Sequence, residues 1–492
     1  MKPALWLAFD VGTSGVKAAI IDGQTAVLAS AYREYPTHTP GKGMVEQDAA
    51  DWWRATADAT RELRQHPAYR DIAAIALTGQ MQDVILIDAH GNPTRMVLLY
   101  SDTRAQDEAQ DIIKAAGAEY LQQLTGNEQD ASTFPAKLLW LARHESQVFK
   151  SSQHLLFGAA DFLAFKLTGR AAADTTTAAT TGLLNLHTRQ LLDDSTLKTL
   201  NLAEMRHLFP DVRNGGAKIG GLHKQAADAL DLPEDTPVHL GPGDAGATTI
   251  GAGSGEPGHA YGYIGSSGWV AFSDTRPGNP QQGVFTLAHP RQDYFIQVAP
   301  LLTAGGNLDW MQSLMGSSDY ADAINTALQQ PATALIYLPY LNGERSPIRD
   351  PLARGAFIGL SQQTSMADLY RAVLEGVVYA YRHALAALAS KRIDRITLTG
   401  GGSRSTAWCQ LFADVLNIPV TIAQDAAFVG VRGAVQAAQV SAGWLPDYQP
   451  VNITAPDQVL TPNPSTREHY DRQYGLFREL YPSLKSVFAR MV

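Results

Sequence analysis

Only one cysteine, Cys409, occurs in 492 residues. That excludes an internal disulfide and fits a reducing compartment. The lone thiol is expected to be a small buried apolar group rather than a reactive one. No uninterrupted apolar run approaches about 18 residues, so no transmembrane helix is expected. Met1-Lys2-Pro3 leads directly into a strand carrying an aspartate, without the apolar region or cleavage site of a signal peptide. Charge is sparse at 18%, while apolar residues reach 45%, which argues against disorder. Positive charge is in deficit: 39 Lys and Arg face 48 Asp and Glu, a net −9. Nucleic acid is therefore not an expected partner. The 13 histidines show neither His-Glu-x-x-His nor a Cys-His zinc spacing. G-x-x-x-x-G-K-[ST] and G-x-S-x-G are also missing, which removes Walker-type nucleotide hydrolysis and the nucleophile elbow. What remains is a soluble, cytoplasmic chain long enough for two domains, with no membrane partner.

The chain does contain a repeat. Ala8-Phe9-Asp10-Val11-Gly12-Thr13-Ser14-Gly15-Val16 is echoed by Gly262-Tyr263-Ile264-Gly265-Ser266-Ser267-Gly268-Trp269-Val270. Each copy reads as strand, small-residue turn, strand. Such turns expose backbone N–H groups and two hydroxyls, and their glycines let an anion approach. Two copies imply a polyphosphate ligand, ATP first. Asp10 could hold Mg²⁺ through its waters, since Mg²⁺ takes one or two carboxylates plus phosphate oxygens. The second copy has Tyr263 at that place, so the metal role falls to Asp10 alone, with Lys17 near it.

Strands are expected at 5–10, 16–21, 26–32, 72–79 and 84–88, with Gln80-Met81-Gln82 between the last two. A helix over 48–66 carries Trp52, Trp53, Ala57 and Leu63 as its apolar stripe. The segment from 105 to 168 is mostly helical, with helices at 136–144 and 159–167, the latter stopped by Gly169. A polar, proline-containing stretch at 232–237 places the domain boundary near 235, giving domains 1–235 and 236–492. The second half has strands at 238–240, 259–272, 294–298, 335–341, 396–398 and 420–423. Its helices lie at 365–390, capped by Ser365, and at 427–441 and 466–480. The long helix has Leu369, Val373, Val377, Tyr381 and Leu385 as apolar positions. Each half thus opens on strands and ends on helices, a duplicated α/β architecture with an inter-domain cleft.

Gly241-Pro242-Gly243-Asp244-Ala245-Gly246 matches G-x-G-x-x-G, but mid-chain and without an acid about 20 residues on, so a dinucleotide reading is weak. Asp244 on a strand-to-helix turn reads either as a general base for a substrate hydroxyl or as a helix cap. Gly400-Gly401-Gly402-Ser403-Arg404 follows an apolar strand and precedes a helix, which suits adenosine or an anion at Gly401, Gly402 and Arg404. Glu344-Arg345 reads as a loop-closing ion pair. The polar groups after strand ends, Gln80-Met81-Gln82-Asp83 and Ser101-Asp102-Thr103-Arg104, suit a polyhydroxy substrate or a solvated loop.

Together these motifs resemble the FGGY carbohydrate kinases over almost the whole length. The resemblance rests on 10–17, on Glu46-Gln47-Asp48 with Trp52-Trp53, on 241–244, 265–268 and 343–347, and on 400–405 with Trp408. It implies two actin-like, ribonuclease-H-like domains of the sugar kinase, Hsp70 and actin type. It implies Mg-ATP-dependent phosphorylation of the terminal hydroxyl of a ketopentose, D-xylulose first, with ribulose, L-xylulose or glycerol as alternatives. Asp244 maps to the catalytic aspartate. Gly12, Thr13, Ser14, Lys17, Gly265, Ser266, Ser267, Gly401, Gly402 and Arg404 map to the nucleotide site. Met81, Gln82, Asp102, Arg104 and Asp244 map to the sugar. Gln82 stands where many ketopentose kinases of this family have histidine, and Tyr100 where they have tryptophan. The departures therefore lie in the sugar half. A homodimer and a non-enzymatic ATP-binding module are the other readings the sequence leaves open.

Overall fold

A computed structural model describes residues 4–315, 319–332, 334–388, 393–423, 425–450 and 458–491. The chain forms two compact units. The first comprises the described residues of Met1–Gly251, Thr286–Ile296 and Phe428–Thr454; the second, those of Ala252–Phe285, Gln297–Ala427 and Ala455–Val492.

In the first unit Leu5–Val11, Gly15–Ile21 and Val27–Glu34 form an antiparallel meander. Ile72–Gly79 adds parallel to Leu5–Val11, Pro237–Leu240 parallel to that, and Ala217–Gly221 antiparallel at the edge. The expected boundary near 235 thus falls between two paired strands of this sheet. Alternation along Leu5–Val11 explains why the sheet is buried on both faces. Leu7, Phe9 and Val11 join one cluster with Trp52 and Phe162, while Trp6 and Ala8 join another with Val431, Ala434 and Val435. Helices Ala49–Leu63 and Ala159–Thr168 cover the first face, and Val429–Ser441 covers the second. A smaller sheet has the order Glu46–Gln47, Val97–Leu98, Met81–Ile87, His154–Gly158.

The second unit repeats the ladder. His259–Ile264 pairs antiparallel with Gly268–Asp274 and parallel with Arg395–Thr399. Val420–Ile422 follows parallel, and Gln458–Leu460 antiparallel. Hairpin, two parallel strands and an antiparallel edge recur in the same order, so the sequence repeat is a repeat of fold. The centre of this unit is helix Met366–Leu388. Ser365 caps it through the Asp368 N–H, and Asp368 returns a bond to the Ser365 N–H. Val373, Val377, Tyr381 and Leu385 are buried as expected, Leu369 partly so. The expected end of this helix, at 389–390, lies outside the described residues.

Several elements differ from expectation. In Ala49–Leu63 the buried face is Ala49, Trp52, Ala55, Thr56, Ala59, Thr60 and Leu63. Trp53 and Ala57 are only half-buried, because Asp48 caps the helix and small residues allow Ala55 and Ala59 to face the sheet. The second strand of the 72–88 pair starts at Met81, so Met81 and Gln82 lie within a strand rather than in a connection. The C-terminal helix runs from Arg467 to Phe488 with Pro482 inside it. Glu344 accepts the backbone N–H groups of Leu302 and Arg345, so its carboxylate closes the loop through backbone rather than through its neighbour's guanidinium. Cys409 is buried and its thiol is pushed up to about 12 by burial, so it stays unionised.

Backbone proximity fixes the helix on the second face. A Cβ on Gly433 would stand 1.8 Å from the Ala247 carbonyl oxygen, and one on Gly251 would stand 2.0 Å from that of Val429. On the helix Arg467–Phe488, a Cβ on Gly475 meets nothing within 4 Å. Gly433→Ala is expected to destabilise the protein by about 2–4 kcal/mol, since backbone must move. Gly475→Ala is expected to stabilise it by about 0.5–1 kcal/mol. Denaturant midpoints of the two variants check this; equal and opposite signs to these would refute the packing.

Candidate active site

Asp244 begins helix Asp244–Thr249 directly after strand Pro237–Leu240. It is not the cap, which is Gly243. Its own Oδ1 accepts the Ala245 N–H at 2.7 Å. The corner is tight: a Cβ on Gly243 would stand 2.3 Å from the Met81 side chain and 2.6 Å from the Thr177 hydroxyl. Asp174 secures it from below. Its buried carboxylate caps helix Thr175–Thr180 through the Thr176 and Thr177 N–H groups and accepts the Thr177 hydroxyl. Burial pushes Asp174 up to about 6 against these bonds. Burial, then the Asp10 carboxylate, push Asp244 up to about 7, with Asp174 adding to the rise and Lys17 opposing it. A carboxyl that titrates near neutrality, with a single protein hydrogen bond, is suited to exchange a proton with a ligand hydroxyl.

The turn at 12–15 follows Asp10 at the end of its strand. Asp10 and Lys17 face each other across the hairpin, Nζ to Oδ2 at 3.6 Å. The Gly12 N–H bonds to the Gly15 carbonyl at 3.1 Å, and the Tyr35 hydroxyl donates to the Gly12 carbonyl. Gln47, fully buried, completes the support. Its amide nitrogen donates to the Thr13 carbonyl and the Thr37 hydroxyl, both at 2.7 Å. Its amide oxygen accepts from the Trp52 indole at 3.0 Å and from Gln80 at 2.9 Å. The Gly12 and Thr13 carbonyls are used inward, and Ser14 is exposed.

The residues expected at a sugar divide into two groups. Met81 packs on Gly243 beside Asp244. Gln82 takes a left-handed φ of 64° and donates to the Ser132 carbonyl at 3.0 Å. Asp102 and Arg104 instead pair with each other, Arg104 Nη2 to Asp102 Oδ2 at 2.8 Å and to Glu46 at 2.6 Å. Asp102 Oδ2 also accepts the Val45 N–H at 2.7 Å. Arg104 lies over the Trp140 ring, 4.9 Å from its centroid. This cluster is enclosed and its groups are mutually satisfied. Sequence reasoning did not single out Asp174 or Lys137, and it named Gln47 only within the Glu46-Gln47-Asp48 motif, not for these bonds. Asp174 had a signal, a threonine run after an aspartate, which is a helix start; Lys137 had none.

In the second unit the turn 265–267 closes by Gly265 N–H to Ser267 carbonyl at 3.0 Å. The Ala304, Gly305 and Gly306 N–H groups hold the Ser266 and Gly265 carbonyls at 2.8–3.0 Å. Gly400 has φ 89°, which turns the chain into Gly401–Arg404 and then into helix Thr406–Leu416, capped by Ser405. A cavity of about 810 Å³ results. Gly265, Ser266, Gly401, Gly402 and Arg404 all line it, and Ser267 sits on the same turn but outside the lining. Asp309, Tyr320 and Asn325 complete the wall. The Tyr320 hydroxyl donates to Asp309 at 2.8 Å.

Residues 5–251 match the FGGY family of carbohydrate kinases, N-terminal domain, and residues 260–442 match its C-terminal domain. A xylulose kinase of Klebsiella pneumoniae is 31% identical over 99% of this chain and 100% of its own length. A ligand-bound xylulose kinase structure from Lactobacillus acidophilus superposes with a TM-score of 0.90 at 27% identity, covering 99% of this chain and 100% of the other. A gluconate kinase structure from the same organism gives 0.89 at 27% identity, with the same coverage.

The raised value at Asp244 has a consequence for stability. The native carboxyl keeps its proton between about pH 4 and 7, where the unfolded one has lost it. Its favourable contribution therefore falls as pH rises through that window, and above pH 7 the fold carries a desolvated charge. Asp244→Asn is expected to raise stability at pH 8 by about 1–3 kcal/mol and to change little at pH 4. Melting temperatures at the two pH values measure this, and a variant less stable at pH 8 would contradict it.

Proposed function

We propose a function from one premise: the chain belongs to the FGGY family of carbohydrate kinases. The reaction is ATP-dependent phosphorylation of the terminal hydroxyl of a ketopentose, D-xylulose to D-xylulose 5-phosphate. Relatives named xylulose kinase over nearly full length support the sugar. The observation that carries the chemistry is Asp244, a carboxyl near neutrality beside a phosphate-type turn that bears Asp10 and Lys17. No helix among the described residues is long and apolar enough to cross a membrane. A cytoplasmic setting, where ATP is at hand, completes the reading.

Asp244 accepts the proton of the attacking hydroxyl as that oxygen forms its bond to the γ-phosphorus and the bond from phosphorus to the β–γ bridging oxygen breaks, with ADP as the leaving group. Phosphoryl transfer passes through a loose transition state, so alignment and charge neutralisation supply most of the rate. The turn Gly12, Thr13 and Ser14 is read as a phosphate-binding turn of the first unit, and Gly265, Ser266 and Ser267, taken by itself, as one of the second. Lys17 adds a positive charge. The cavity lined by Gly401, Gly402 and Arg404 takes adenosine. Mg²⁺ fits Asp10, whose carboxylate has one ammonium at 3.6 Å and is partly open. One carboxylate with phosphate oxygens and waters is a normal Mg²⁺ donor set. When bound, the ion offsets phosphate charge.

ADP release is measured with D-xylulose, ribulose, L-xylulose, glycerol and gluconate, each with Mg-ATP. D-xylulose is expected to give the highest kcat/KM; release independent of any sugar would reject the kinase reading. Asp244→Asn is expected to lower kcat by about 10²–10⁴ with ATP binding retained. The kcat/KM of the wild type should show an acid limb near pH 7, absent from the residual rate of that variant.

A further inference from the structure

Asp83 is completely enclosed, yet half of its carboxylate is unused. One oxygen accepts the Tyr100 N–H at 3.1 Å, and Oδ2 has no hydrogen-bond partner among the described residues. A buried carboxylate oxygen left unpaired is costly, and the remaining positions of its strand, 84–87, are all apolar. The strand is distorted where this residue enters it: pairing shifts register between Met81 and Ile85, and Gln82 has φ 64°. The distortion places Met81 against Gly243. Asp83 and Asp244 lie near enough to feel each other's charge, and Asp83 also acts on Tyr35, the residue that braces the first turn. Lys137 offsets part of this cost, while burial still holds the Asp83 carboxyl well above the usual carboxylate range. Its enclosed ammonium donates to the Leu99 carbonyl at 2.6 Å and attracts Asp83, while burial pushes it down to about 8. An acid with a cation beside it, one free oxygen and the base as a neighbour is arranged for a ligand rather than for the core.

We infer that Asp83 is a sugar-binding residue: its Oδ2 accepts a hydrogen bond from a pentulose hydroxyl other than the attacking one, and its carboxylate disfavours sugars that themselves carry a carboxylate, such as aldonates. The inference rests on the sugar kinase reading above. The attacking hydroxyl belongs at Asp244, so the neighbouring oxygen of Asp83 meets a different position of the same small molecule. Asp102 does not take this role, because both of its oxygens already receive N–H groups from Arg104 and Val45.

Asp83→Asn preserves shape and an acceptor for the Tyr100 N–H, but turns the free oxygen into a donor. Because it leaves the Lys137 charge without its counterpart, Asp83→Asn with Lys137→Met is made beside it. Both variants are assayed with D-xylulose, its 1-, 3- and 4-deoxy analogues and gluconate, and ATP binding is measured without sugar. The expected result is a fall of about 100-fold in kcat/KM for D-xylulose, mainly through KM, with ATP affinity unchanged. One deoxy analogue should already be poor with the wild type and indifferent to the substitution, and preference for D-xylulose over gluconate should narrow by about tenfold or more. An equal fall on every analogue, or an unchanged kcat/KM in both variants, overturns the inference. If another ketose or polyol proves the true substrate of the wild type, the D-xylulose reading fails, and the same cycle on that substrate's deoxy analogues decides Asp83.

Discussion

The backbone at Gly243 and Asp244 sits in a tightly packed corner, and the candidate chemistry depends on that packing. Strand Pro237–Leu240 is locked in the sheet, and a Cβ on Gly241 would stand 2.5 Å from the Leu77 carbonyl oxygen. The helix that begins at Asp244 is held against Val429–Ser441 by glycines at 251 and 433. A Cβ on Gly243 would stand 2.6 Å from the Thr177 hydroxyl, which itself donates to Asp174. Asp244 is thereby placed by its backbone alone, and its carboxylate is left with one protein hydrogen bond. A base anchored through its side chain would have had to break those bonds to meet a substrate. The cost appears as a carboxyl pushed up to about 7, a tension between stability and function that is usual at active sites.

Much of this was legible in the sequence, because the elements that build the site are local. The strand-turn-strand repeat needs only a run of apolar residues and a few small ones, and both copies are hairpins in the structure. Helix starts at Asp48 and Ser365 are marked by capping side chains, and the structure shows both bonds. The G-x-G-x-x-G match illustrates the opposite case. Its glycines serve contact with Leu77, Met81 and Thr176, which no spacing along the chain discloses. The same holds for Gln47, whose four bonds reach Thr13, Thr37, Trp52 and Gln80. One amide so connected is invisible until the chain has folded. The pairing of Asp102 with Arg104 was similarly hidden, since two residues along a loop carry no sign that they satisfy each other.

The two hairpins are alike in ladder and unlike in load. In the first, Asp10 and Lys17 stand opposite each other at the strand ends. In the second, Tyr263 and Trp269 occupy the corresponding pair and stack at 4.1 Å. An ion pair can exchange partners with a metal and a phosphate; a stacked aromatic pair cannot. In the proposed reaction the charge work falls to the first unit, while the cavity of the second is lined by aromatic and small residues, Tyr263, Trp408, Gly401 and Gly402.

Glycine sharpens the same division. Around the second turn, a Cβ on Gly265, Gly268, Gly305, Gly400 or Gly402 would stand within 3 Å of a neighbouring atom. These glycines are required by packing and say little about a ligand. Gly12 and Gly401 differ: a Cβ would meet only the Gly15 carbonyl at 3.5 Å in one case and nothing within 4 Å in the other. Neither has a φ that favours glycine. The fold would accept alanine at both positions, as at Gly475, so packing does not require glycine there. One of the two lies on the turn next to Asp10 and the other on the wall of the 810 Å³ cavity. Bare backbone is thus open beside Asp10 in the first unit and, separately, on the cavity wall of the second, as the proposed nucleotide-binding role of each requires.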